Sequence, residues 1–158
     1  MQQTLPGTVP VMTDTRFMSA KEKQKVLRHW ASFLASGLTW EKFTKLLYHH
    51  LTQHCSFIAH YDRERFYQHY FTSGDQKVHF LSQFDNSQGD PRSIEYGGHW
   101  WLDGDYEDIN RVMCDVAAHY IPDLVNRAKE EQRRHDLAVA AMLLERHGID
   151  LIELMMKK

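Results

Sequence analysis

Apolar residues in this chain return every three to four positions, stretch after stretch, and helix-capping residues stand in front of most of those stretches. That period belongs to helices and not to sheets. The first stretch shows it best. Ser19 precedes Glu22 by three, a capping-box pair in which the hydroxyl serves first-turn N–H groups while the carboxylate reaches back. Val26, Leu27, Trp30, Ala31, Phe33 and Leu34 follow at helical spacing, and Gly37 marks a stop.

The same reading continues down the chain. Thr39 caps a second predicted helix to about His54, with Trp40, Phe43, Leu46, Leu47 and Leu51 on one side. Asp62 caps a third to Phe71. Ser73, Gly74 and Asp75 read as a turn. Residues 76–84 suit a helix better than a strand, although Val78, Phe80 and Phe84 would also alternate on a strand. The run from Asp85 to Ser93 is rich in turn residues. Residues 94–104 hold Gly97, Gly98, Trp100 and Trp101 and read as a short irregular aromatic connector. Asp105 caps the next helix, with Tyr106, Ile109, Val112, Met113, Val116, Ala117, Tyr120 and Ile121 on its stripe. Pro122 either kinks it or opens a new helix. A helical pattern then runs from Asp123 to His147, polar in its middle (Asn126 to Arg134), with Gly148 behind it and an apolar tail from Ile149 to Met156.

These elements add up to an all-α, single-domain bundle of six or seven helices with a long C-terminal helix. Residues 1–18, with Pro6, Gly7 and Pro10, read as a flexible N-terminal arm, and 19–158 as the helical domain. The chain has 158 residues, of which 42% are hydrophobic. That is enough for one packed core. No apolar run reaches the roughly 18 residues of a membrane span, so no membrane is expected. The N-terminus does not read as a signal peptide. Two cysteines, Cys55 and Cys114, support no disulfide framework and favour a cytoplasmic setting. A formal net charge of −2 argues against a broadly basic, nucleic-acid-binding surface.

Histidine is abundant, at 11 residues. His50 and His54 stand one helical turn apart on the apolar side of the second predicted helix, with Cys55, His60 and Asp62 close behind. Zinc or another transition metal accepts such a mixture of ligands. The plainer reading is a pair of hydrogen-bonded core histidines. Arg63 and Arg65 lie among aromatics, and Arg133 and Arg134 on the long helix; both pairs could meet nucleic-acid phosphates and bases. The plainer reading is a solvated first turn and a solvated face. His99, Trp100 and Trp101 with Asp103 and Asp105 form a third candidate, a catalytic or ligand-binding loop. No GxSxG, P-loop or dinucleotide glycine signature occurs, so conventional hydrolase, kinase and dehydrogenase readings have no residue support, and a metal-dependent enzyme on the histidine group is the alternative. The long polar-waisted helix and the apolar tail, including Ile149, Ile152, Met155 and Met156, point instead to an interaction and assembly protein. Its expected partners are a second copy, as in a dimer, and another macromolecule.

Overall fold

The Ser19 hydroxyl starts the first helix as its spacing predicts. Its Oγ accepts from the Glu22 N–H at 3.1 Å and donates to the Glu22 carboxylate at 3.2 Å. The first bond is the N-cap half of the expected capping box, while the carboxylate meets the Ser19 hydroxyl and not its backbone N–H. From this cap, α1 runs Ala20–Ala35. The computed structural model of the chain describes residues 11–55, 57, 60–85 and 106–156. Five further α-helices of the bundle and one short terminal helix follow: α2 Lys45–His54, α3 Arg63–Phe71, α4 Gly74–Ser82, α5 Glu107–Ala118, α6 Ile121–Arg146 and α7 Leu151–Met156. Among the described residues there is no strand, and the all-α bundle is the architecture observed.

Several boundaries differ from expectation for local reasons. The second helix does not begin at Thr39. Residues Trp40–Lys42 make one 3₁₀ turn, and Phe43 leaves helical geometry at φ −85°, ψ 81°. Thr44 is the working cap, its Oγ1 accepting from the Leu47 N–H at 3.2 Å. Its hydroxyl thereby satisfies one of the first-turn donors. Phe43 is left free to drop into the core. Ser73 caps α4 in the same manner, so Gly74 and Asp75 belong to a helix and not to a turn. Pro122 sits in the first turn of α6, where its missing N–H costs nothing. Asp105 and the connector 94–104 lie outside the described residues.

Of the N-terminal segment, residues 11–18 are described, and several of them touch the body. Asp14 accepts from the Ala20 N–H, Met12 and Met18 are buried, and the Lys23 ammonium donates to the Thr13 carbonyl at 2.9 Å.

Aromatic rings dominate the core. Phe33 meets Phe71 edge-on at 5.0 Å, Phe71 meets Phe80 edge-on at 4.6 Å, and Phe43 stacks on Phe66 at 5.6 Å. Edge-on and offset contacts are the arrangements that ring quadrupoles favour. Trp30 is fully buried and donates its indole N–H to the Met113 carbonyl at 2.9 Å, tying α1 to α5. Helix α4 crosses α6 at Gly74. A Cβ there would run into the Ala128 carbonyl oxygen, so only glycine permits this approach. The crossing is reinforced by the Asp75 N–H donating to Gln132 Oε1 at 3.0 Å and by a Lys77–Glu131 ion pair at 2.8 Å.

Candidate functional site

Two places bear the sequence-predicted sites: a buried polar cluster between α2 and α5, and the far half of α6 with α7.

Asn110 organises the first. Its Nδ2 donates to the His54 carbonyl at 2.9 Å, which leaves its Oδ1 as acceptor. His50 Nε2 donates to that oxygen at 2.9 Å, and the Cys55 thiol reaches it at 3.5 Å. The network therefore assigns the proton to His50 Nε2 and leaves Nδ1 bare. Nδ1 is buried with no hydrogen-bond partner among the described residues. Burial pushes the His50 pKa down to about 4, against the raising effect of the Asn110 bond. His50 is neutral at pH 7 in consequence. Burial likewise raises the Cys55 thiol well above its ordinary value, with Cys114 adding to the effect, so Cys55 stays protonated.

The structure brings His50, His54 and Cys55 together around Asn110. The other two residues of the expected metal group lie elsewhere. His60 is exposed beside Tyr61, and the Asp62 carboxylate accepts from the Arg65 N–H at 2.8 Å as the cap of α3. His54 stacks on Tyr106 at 3.8 Å. Among the described residues no group of three or more His, Cys, Asp or Glu could hold a metal ion. The cluster is a hydrogen-bonded latch from the C-terminal end of α2 to α5.

Three of the four arginine candidates are engaged within the chain. Arg63 lies over the Trp40 ring at 4.7 Å and donates to the Phe43 carbonyl at 3.4 Å. Arg133 and Arg134 both pair with Glu130, at 3.4 and 3.1 Å. Arg65 is exposed. The His99–Asp105 loop lies outside the described residues.

Sequence reasoning passed over Asn110 and Lys23. Lys23 is fully buried and bridges Asp108 at 2.7 Å. Both carried a signal: each polar side chain sits within an apolar helix stripe, Lys23 four before Leu27 and Asn110 between Ile109 and Met113.

The second place is built by what α6 lacks. Ala128 is its last buried residue. From Arg133 to Arg146 every residue is exposed except Val139 and Leu144, which are half-buried. Leu137, Met142, Leu143, Ile149, Met155 and Met156 are between 42% and 80% exposed. Gly148, at a positive φ of 69°, turns the chain between α6 and α7. The Ile149 N–H closes that turn on the Leu144 carbonyl at 2.7 Å. The side chain of Ile152 lies outside those described. No helix of the described residues is long and apolar enough to cross a membrane. No family model, curated protein or solved structure matches the chain.

Proposed function

We propose that this protein is a small non-catalytic interaction and assembly protein. It self-associates through the far half of α6 and through α7, and its folded body is free to hold a further macromolecular partner. The observation that carries this reading is the eight-residue run Leu137–Leu144, which has no polar side chain and lies in a helix beyond the last buried residue of α6. A helix that is apolar all round is ordinarily buried. Here the chain's own body does not bury it. Six large apolar side chains so exposed exceed what a solvated helix end needs, and such patches mark interaction surfaces. Ile149, Met155 and Met156 extend the exposed apolar surface beyond the turn. Two free cysteines fit a reducing setting such as the cytoplasm.

Light scattering on the full chain and on a chain ending at Arg134 tests the reading. The full chain is expected to exceed its 18.7 kDa monomer mass, and the shortened chain to be a folded monomer. A monomer in both cases overturns it.

A further inference from the structure

We propose that the occupant of the exposed α6 segment is the same segment of a second copy, running antiparallel and crossing at Ala140–Ala141. This rests on the assembly reading above and gives that assembly a specific geometry.

Three features of the segment support it. First, Leu137, Ala141 and Leu144 are spaced four and three residues apart, the spacing of apolar residues along the seam of a paired helix. Leu137 and Leu144 would flank a crossing made of the small Ala140 and Ala141, where two helix axes approach closely. Second, the flanking charges distinguish the two directions. At about 100° per residue, Arg134 and Glu145 fall on the same side of the seam and Arg133 on the other. Antiparallel pairing about Ala140–Ala141 sets Arg134 beside the partner's Glu145, offset by about 3 Å along the axis, and does so twice by symmetry. Parallel pairing sets Arg134 beside the partner's Arg133, a like-charge contact. The present Arg134–Glu130 pair is exposed and weak enough to exchange. Third, the fourteen residues 133–146 of α6 lie beyond its fastenings to α4, so a second copy can reach this length of the helix.

Antiparallel pairing sends the two bodies to opposite ends. At the rise of an α-helix, the two Ala128 residues would stand about 37 Å apart along the pair.

Disulfide trapping tests this in the full chain, since Cys55 and Cys114 are buried and every substituted position is exposed. Ala141→Cys is expected to form a covalent dimer under mild oxidation. Arg134→Cys alone is expected not to, because its two copies would lie about 20 Å apart. Arg134→Cys mixed with Glu145→Cys is expected to cross-link. In the unlinked protein, Arg134→Glu should weaken association roughly tenfold, and adding Glu145→Arg should restore it. A dimer that is lost in the chain ending at Arg134, yet links through Arg134→Cys alone or fails to link through Ala141→Cys, overturns this pairing and leaves the assembly reading standing. A full chain that stays monomeric overturns both. Sedimentation of that monomer with phosphatidylcholine vesicles would assign the apolar segment to lipid instead.

Discussion

His50 shows what a buried imidazole does to a small helical protein. Its Nε2 bond to Asn110 is satisfied, while its Nδ1 faces the interior without a partner among the described residues. Protonation would place a charge there. The pKa in the folded state is about 4, against 6.5 when the side chain is exposed. The unfolded chain therefore binds the proton first, and stability falls as pH drops from 6.5 towards 4. The full effect is about 3 kcal/mol below pH 4. His29 and His54, also lowered by burial, act in the same direction. Urea unfolding between pH 7.5 and pH 4 should show this loss, and His50→Gln should flatten the slope. An unchanged slope in that variant would remove His50 as its source. Asn110 carries the complementary prediction. Asn110→Ala strands His50 Nε2 and the His54 carbonyl together, and should cost about 3 kcal/mol in the same assay.

Among the elements, α4 and α6 are joined through the absence of a side chain. Gly74→Ala improves intrinsic helix propensity by about 1 kcal/mol. It also drives a methyl group into the Ala128 carbonyl, where backbone cannot swing aside. The clash wins, and we expect a net loss of about 2 kcal/mol, read as a lower thermal midpoint. The helices themselves are legible in the sequence where capping and apolar period agree, as at α1 and α3. Thr39 misled because Thr44 caps as well, and only the burial of Phe43 decides between them. Gly74 looked like a turn because Ser-Gly-Asp is turn chemistry, whereas the glycine answers to a carbonyl on a helix far along the chain. The candidate site was half legible for the same reason. The face shared by His50 and His54 follows from spacing within one helix. Asn110, which gives both residues their structural role, arrives from another helix that no local pattern connects to them.

On the scale of the whole molecule, the body ends where α6 continues. The residues from Arg133 to Asp150 are exposed apart from the half-buried Val139 and Leu144, so removing the segment after Arg134 should barely change stability. A chain ending at Arg134 is expected to unfold within about 0.5 kcal/mol of the full chain when both are monomeric. At concentrations where the full chain associates, its midpoint should rise with concentration while that of the shortened chain stays fixed. Equal concentration dependence in both would place the association surface on the body.

The Gly74 crossing has a mechanical consequence. It clamps α6 near Ala128, and the helix continues from there to Arg146. At the rise of an α-helix, the length beyond the last fastening at Gln132 is about 21 Å. A beam held at one end concentrates any load on its tip at the clamp. Torque delivered by whatever grips Leu137–Leu144 would therefore arrive first at the Lys77–Glu131 pair and the Asp75–Gln132 bond, the two fastenings beside the glycine.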